Sequence, residues 1–133
     1  MLKRMKELTV KGENSVEVMA RVAEALGSSG INIDSISTYA IGNNAYLRLL
    51  TADIETSKKA LKNMPVTVED AEVIVLSLQD RPGELAKVAR KIANRGIELE
   101  TMYIVGKEKG MTNLAIKPSK NQLKEVEEIF SRR

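Results

Sequence analysis

The sequence predicts an α+β protein built from two copies of one unit of strands and helices. The first observation is an apolar helix face that occurs twice at a constant offset. Its members are Met19, Val22, Ala23 and Leu26 in the first copy and Leu85, Val88, Ala89 and Ile92 in the second. The second observation is a glycine after each face, Gly30 and Gly96, where a helix needs a left-handed stop. Four apolar matches and a matching stop at one offset indicate an internal repeat.

The first copy is predicted to have the order strand, helix, strand, strand, helix, strand. Residues 31–41 are rich in β-branched residues and tyrosine, which is typical of a strand, and Gly42-Asn43-Asn44 forms the turn after them. A second helix follows Asp53. The predicted strands are residues 6–10, residues 31–41, the stretch that carries Leu47 and Leu49, and residues 65–68. This order, with an antiparallel sheet and its helices on one face, is the ferredoxin-like arrangement.

The second copy repeats this order up to its last helix. Its predicted strands are the apolar run at residues 73–78, residues 97–105, and the stretch that carries Leu114 and Ile116. Across the turn at residues 106–110 the offset between the two copies is predicted to grow by one residue, from 66 to 67. The last helix is expected to begin with a capping box at Ser119-Lys120-Asn121-Gln122. No strand-like stretch follows this helix, so the second repeat is expected to lack its last strand.

These repeats define two expected domains, residues 1–70 and residues 71–133. A unit of this size buries only about 60% of its chain surface and is marginal by itself. The missing last strand of the second repeat is expected to leave an open sheet edge, which proteins normally cover. A second copy of the chain is the expected cover, so we predict a homodimer. The N-terminal strand is the alternative cover and would leave a monomer.

The composition excludes several classes of chemistry. The chain has 133 residues, of which 43% are hydrophobic and 29% charged, as in a packed globular protein. It contains no cysteine and no histidine, which excludes disulfides, thiolate zinc sites and an imidazole base. A net charge of +3 does not indicate nucleic-acid binding. The sequence shows neither a signal peptide nor an apolar run of membrane-spanning length, so a cytoplasmic location is expected.

Other functions fit the sequence less well. Catalysis would need paired carboxylates, a lysine base or a metal, and the acidic residues lie mostly along helix faces, so we expect no enzyme activity, metal or cofactor. Glu98 and Glu100 share a strand face and could ligate a hard cation, although exposure to solvent is the default for such residues. RNA recognition on the sheet would need more aromatic residues and flanking basic clusters.

The most informative stretch is the corner between the strand at residues 73–78 and the helix of the second copy. Its sequence is Gln79-Asp80-Arg81-Pro82-Gly83-Glu84-Leu85. Pro82 suits a first helical turn, Gly83 leaves the helix mouth without a side chain, and Asp80 is a typical capping residue. Unpaired N–H groups and the helix dipole favour an anion at such a position. These residues are consistent both with a capped helix start and with an anion site.

The same stretch resembles the signature of the ACT domain, a small regulatory module that binds amino acids. Residues 80–88 are similar to its strand-to-helix segment, and Asn94-Arg95-Gly96-Ile97-Glu98-Leu99 resembles the stretch that enters its second strand. The resemblance is clear over residues 72–130. It is weaker over residues 6–69, where it rests on the repeat and on Gly30-Ile31-Asn32-Ile33. The whole chain resembles stand-alone proteins made of two ACT repeats.

The resemblance implies a ligand site between the corner of one repeat and the second strand of a facing repeat. The backbone of Arg81 to Leu85 would meet the carboxylate of an amino acid, and Asp80 would meet its ammonium group. The corner residues implied in binding are Asp80, Arg81, Pro82, Gly83, Glu84 and Leu85. The residues implied in lining the side-chain pocket are Ile36, Ser37, Thr38 and Tyr39.

A symmetric second site would combine Asn14 and Ser15 with Met102 and Tyr103. In the first copy, however, Val16 and Glu17 stand where the second copy has proline and glycine, and their side chains close the helix mouth. We therefore expect one functional site and a degenerate ligand loop in the first repeat. The hypothesis is a regulatory protein that binds a free amino acid and signals by contact with a partner enzyme of amino-acid metabolism. The alternative is an interaction module that docks through its sheet edge without a ligand.

Overall fold

The structure is a computed structural model, which describes residues 2–131 and divides them into two compact units. One unit is Lys6–Ala71, and the other comprises residues 2–5 together with residues 72–131. The strands are β1 (Leu2–Glu13), β2 (Ser35–Ile41), β3 (Asn44–Leu50), β4 (Thr67–Gln79), β5 (Leu99–Glu108) and β6 (Met111–Pro118). The helices are α1 (Val16–Ser28), α2 (Ile54–Leu61), α3 (Glu84–Asn94) and α4 (Leu123–Ser131). The α+β class with βαββαβ units is confirmed.

The unit Lys6–Ala71 has the strand order β2-β3-β1-β4. Strand β3 pairs antiparallel with both β1 and β2, so that Leu49 lies opposite Leu8 and Ile36. Its core consists of Leu8, Val10, Val22, Leu26, Leu47, Leu49, Ile54 and Leu61. The fourth strand predicted at residues 65–68 is present, although it begins at Thr67 and continues as β4 into the first strand of the second repeat.

The second unit has the strand order β1-β4-β6-β5. Its core consists of Ile74, Leu76, Val88, Ile92, Ile97, Leu114, Ile116 and Val126. The helix face repeats at Val22 and Val88, which both point into a core. It differs at Leu85, which is 48% exposed, whereas its counterpart Met19 packs against the first core. One apolar position of the repeat therefore serves the core in one unit and the surface in the other.

The last strand that the second repeat lacks is supplied by the N-terminal end of the same chain. Leu2 packs against the core of this unit. The Arg4 guanidinium donates to both carboxylate oxygens of Glu127 in α4, at 2.8 and 2.7 Å, and to Glu72 in β4 at 3.3 Å. The expectation that this edge stays open is therefore wrong, because a segment distant in sequence lies beside β4.

Two local predictions also need correction. The turn between β5 and β6 has only two residues, Lys109 and Gly110, with φ angles of 52° and 75° that suit a tight hairpin. The extra residue is accommodated by a bulge in β5 between Ile104 and Gly106, so β5 extends to Glu108. The predicted capping box at Ser119 is also wrong, because α4 begins four residues later, at Leu123. Within residues 2–131, no helix combines the length and apolar character needed to cross a membrane.

Candidate functional site

A pocket of about 100 Å³ lies beside the predicted corner, within the second unit. We call it the corner pocket. Its apolar lining consists of Leu78, Leu85, Ile104 and Leu114, and its polar lining consists of Gln79, Asp80, Arg81, Glu84, Lys107 and Thr112. These residues come from the end of β4, the start of α3 and the hairpin of β5 and β6. The fold thus brings the corner together with a hairpin that follows it in sequence.

The backbone of the corner forms a tight turn before the helix begins. The Arg81 N–H donates to the Gln79 carbonyl at 3.0 Å, and α3 then starts at Glu84 with Gly83 as its N-cap. No side chain caps this helix, so the predicted capping role of Asp80 is wrong. Pro82 was predicted to lie in the first helical turn. It lies instead in the turn that precedes the N-cap.

The backbone conformation at residue 83 explains why glycine occurs there, in addition to any role in ligand binding. Its φ angle is 88°, in the left-handed region that side-chain-bearing residues rarely adopt. A Cβ atom added there would meet nothing within 4 Å, so the space in front of it is open. The backbone alone therefore favours glycine at this position, and the residue type is weaker support for a ligand than the sequence indicated.

Asp80 is held by partners on the β5–β6 hairpin. Lys107 Nζ lies 3.1 Å from Asp80 Oδ1, and the Thr112 hydroxyl also hydrogen-bonds the carboxylate. Lys107, followed by Thr112, holds the pKa of Asp80 below its usual range. Both members of the ion pair keep about half of their side-chain surface in contact with solvent, at 42% for Asp80 and 55% for Lys107. The pair therefore offers a carboxylate and an ammonium group at the rim of the pocket.

Glu84 adds a second carboxylate to the rim. Its Oε2 atom accepts from Arg81 Nε and Lys87 Nζ, both at 3.0 Å, and these contacts, with Lys87 the larger influence, lower the pKa of Glu84. A carboxylate in the first turn of a helix is also favoured by the helix dipole. The lining of the corner pocket therefore holds two carboxylates, Asp80 and Glu84, and two cations, Arg81 and Lys107.

Four of the six predicted corner residues line the pocket, namely Asp80, Arg81, Glu84 and Leu85. Pro82 and Gly83 shape the turn without lining it. The predicted residues Ile36, Ser37, Thr38 and Tyr39 lie on β2, in the other unit, where Tyr39 stacks on Tyr46 at a ring distance of 5.3 Å and accepts from Arg48 Nε at 3.1 Å. The residues that line the corner pocket all belong to the unit that contains the corner.

The residues of the predicted second site have local contacts. The Ser15 hydroxyl accepts from the Val18 N–H at 3.1 Å and caps α1. The Asn14 side chain donates to the Gly42 carbonyl at 3.3 Å. Met102 packs against the core of its unit, and Tyr103 lies half-buried on the same strand. Each of these contacts has a structural role.

Sequence reasoning missed the half of the pocket that comes from the hairpin. The predicted turn at residues 106–110 contains Lys107, Ile104 falls within the predicted strand at residues 97–105, and no role is predicted for Thr112. The available signal was Gly110, because glycine is favoured at the second position of a two-residue hairpin turn, and a turn at residues 109–110 would have placed Lys107 on a strand.

A second cavity, of about 360 Å³, lies in the unit Lys6–Ala71. Its charged lining residues are Lys58, Lys59 and Lys62, and its apolar lining residues are Leu61, Val66 and Val68. Lys58 pairs with Asp70 at 2.9 Å outside this lining. A lining whose charges are all positive suits an anion and offers no partner for an ammonium group.

Metal binding receives no support from the acidic residues. No group of three or more acidic side chains among residues 2–131 is arranged to hold a metal ion. Glu100, one of the two residues considered as cation ligands, pairs with Lys117 at 3.0 Å. Glu98, the other, is exposed and lies before β5 begins at Leu99, so the structure does not place the two residues on one strand face.

Comparisons with known proteins indicate the fold. No family model and no curated protein matches the chain. It is similar to protein BT0572 from Bacteroides thetaiotaomicron, at 27% identity and a TM-score of 0.83 over 96% of this chain and 88% of that one. It is also similar to the regulatory subunit of aspartate kinase from Thermus thermophilus, at 17% identity and a TM-score of 0.63 over 97% and 96% of the two chains. It is similar to the aspartokinase alpha and beta subunits as well, at 12% identity and a TM-score of 0.64 over 98% of this chain and 97% of that one. The chain therefore has the fold of ACT-like regulatory domains.

Proposed function

We propose that this protein is a regulatory module that binds a free amino acid in the corner pocket and signals by contact with a partner enzyme of amino-acid metabolism. The observation that carries the proposal is the exposed ion pair of Asp80 and Lys107 beside an apolar lining. A free amino acid has the complementary composition, because it joins an ammonium group and a carboxylate to one side chain.

The ligand would exchange with the existing ion pair. Its ammonium group would bind Asp80, and its carboxylate would bind Lys107 and the N–H groups at the start of α3. Exposed ion pairs contribute little to stability, so separating Asp80 from Lys107 costs little free energy. Such an exchange would couple the ligand to the position of the β5–β6 hairpin, which carries Lys107.

The comparisons support a regulatory role for the whole chain. A regulatory subunit of aspartate kinase shares the fold over 97% of this chain and 96% of its own length. A protein of this architecture therefore works as a separate regulatory subunit elsewhere, which supports a partner enzyme here. The absence of cysteine is consistent with the cytoplasmic setting that we propose.

The test is a thermal-shift and calorimetric panel of the common amino acids. At least one amino acid should raise the melting temperature of the wild-type protein. Asp80→Asn should abolish that response, because the ammonium group loses its carboxylate partner. Glu98→Gln, which neutralises an exposed carboxylate of the same unit outside the pocket, should leave the response intact. A panel in which no amino acid binds would refute the proposal.

The second candidate function is an interaction module that docks through β2. This edge strand exposes Ile36 at 47% and Ile41 at 62%, and an edge strand has unpaired backbone groups for another chain. We also propose that the homodimer forms through this edge, because the edge of the second repeat for which a second copy was predicted is covered by the N-terminal strand. Light scattering should then report a dimer that Ile41→Glu converts to a monomer, whereas a wild-type monomer at micromolar concentration would contradict this use of β2.

A further inference from the structure

We infer that the corner pocket selects small aliphatic amino acids, of the size of valine, leucine and isoleucine, over charged and aromatic ones. This inference rests on the proposed function and concerns the specificity of the same site. It starts from four apolar side chains, Leu78, Leu85, Ile104 and Leu114, which meet beside the Asp80–Lys107 ion pair.

Two of these side chains are unusual for their position. Leu85 and Ile104 are 48% and 50% exposed, although each lies on an element whose neighbouring apolar residues are packed in the core. Single exposed apolar residues are common and need no function. Here, however, two of them come from separate elements and converge on one pocket, above Leu114, which is 2% exposed. The arrangement gives the pocket a buried apolar floor and apolar walls.

The size of the pocket limits the ligand side chain. An apolar cavity of about 150 Å³ accommodates benzene, whereas pockets for drug-sized molecules have roughly 300–1,000 Å³. The corner pocket has about 100 Å³. It therefore suits a branched side chain of three or four carbons better than an aromatic ring or a nucleotide.

The chemistry of the lining limits the charge of the ligand side chain. Asp80 and Lys107 are matched by the ammonium and carboxylate groups common to all amino acids, and Glu84 is already bound by Arg81 and Lys87. A further charge on the ligand would either have to displace the Arg81–Glu84 pair or lie against the four apolar side chains, where an unpaired charge is costly. Lysine, arginine, aspartate and glutamate are therefore disfavoured.

The equivalent positions of the first repeat have different residues from those in this lining. At the constant offset, Ile104 corresponds to Thr38, and Leu85 corresponds to Met19, which packs against its own core. The first repeat thus has neither the exposed isoleucine nor the exposed leucine at these positions. The apolar walls are a property of the second repeat and not of the fold.

The experiment measures binding of individual amino acids to the full chain by calorimetry. Valine, leucine and isoleucine should bind the wild-type protein at least about tenfold more tightly than phenylalanine, lysine or glutamate, since a missing or surplus methylene in an apolar pocket already changes affinity by about tenfold or more. Ile104→Ala should weaken leucine binding about tenfold and allow phenylalanine to bind, because it enlarges the pocket. Val16→Ala removes a side chain that is 78% exposed in the other unit and should change neither affinity.

The outcomes separate this inference from the proposed function. Binding of a charged or aromatic amino acid with no response to the aliphatic ones would overturn the inference and leave the proposed function standing. Binding of leucine that Ile104→Ala does not alter would also overturn it. A protein that binds no amino acid at all would refute both.

Discussion

The two strand-to-helix corners of this chain are anchored alike and end differently. In each, the backbone N–H at the start of the corner donates to the following hairpin turn: Asn14 to the Asn43 carbonyl at 3.0 Å, and Asp80 to the Gly110 carbonyl at 2.9 Å. In the first corner Ser15 then caps α1 at once. In the second, a turn through Gly83 delays the start of α3 by two positions of the repeat. One anchor therefore supports a compact helix start in one repeat and a pocket in the other.

The difference extends to the side chains at the anchor itself. Asn14 is neutral and donates to the Gly42 carbonyl, so its side chain completes the hairpin. Asp80 is charged and pairs with Lys107 across the hairpin, where solvent and ligands have access. Both repeats keep the backbone hydrogen bond to the hairpin turn, and only the second has a charge at this position, so the fold requires the anchor and not the charge. The charge at residue 80 is therefore consistent with the proposed role of Asp80 in binding a ligand.

The largest expected effect concerns the turn. Gly83→Ala should lower the free energy of unfolding by about 1–2 kcal/mol, because alanine is disfavoured at a positive φ while no neighbouring atom obstructs its Cβ. Glu17→Ala, at the same position of the first repeat, should change it by less than about 0.5 kcal/mol. Urea unfolding measures both values. If Gly83→Ala costs no more than Glu17→Ala, the backbone does not need glycine, and a ligand role for Gly83 becomes the better explanation.

A second prediction concerns the N-terminal strand, which completes the sheet of the second unit. Arg4→Ala should lower the melting temperature and weaken amide protection in the neighbouring part of β4, because the three contacts of Arg4 with Glu127 and Glu72 fix the N-terminal strand. Lys6→Ala should have a smaller effect, since Lys6 makes one exposed contact with Asp70 at 3.6 Å. Hydrogen exchange read by mass spectrometry checks both. Equal protection of β4 in the two variants would mean that apolar contacts such as that of Leu2 hold the strand without Arg4.

The features that could be predicted from the sequence are those that depend on local patterns, such as helix faces. The helix faces around Val22 and Val88 have the period of a helix, and both were found buried in the cores. The N-terminal strand could not be assigned to the second unit, because strand pairing between residues far apart leaves no mark in a local pattern. Lys107 was misplaced for a related reason: a bulge shifts the register by one residue, which periodicity alone does not reveal.

The smallest expected effect is the pH dependence of the Asp80–Lys107 pair. The folded-state pKa of Asp80 is below its ordinary value, near 3.9 in an unfolded chain, because Lys107 and Thr112 stabilise the carboxylate. A depressed pKa gives a stabilisation that is fully present above the unfolded value and is lost as the pH falls through the folded value. The neighbouring charges, Arg81, Glu84 and Lys87, are present in the wild type and in Asp80→Asn alike, so their titration cancels in a comparison of the two.

The difference in melting temperature between wild type and Asp80→Asn should therefore be constant from about pH 8 to about pH 5 and shrink below about pH 4. Asn is also the residue of the first repeat at this position, so the variant gives the second corner the uncharged anchor of the first. A difference that persists at pH 3 would show that the side chain acts through its shape and hydrogen bonds. In that case the charge would not be what distinguishes the two corners, and the partner proposed for the ligand's ammonium group would have to be sought elsewhere.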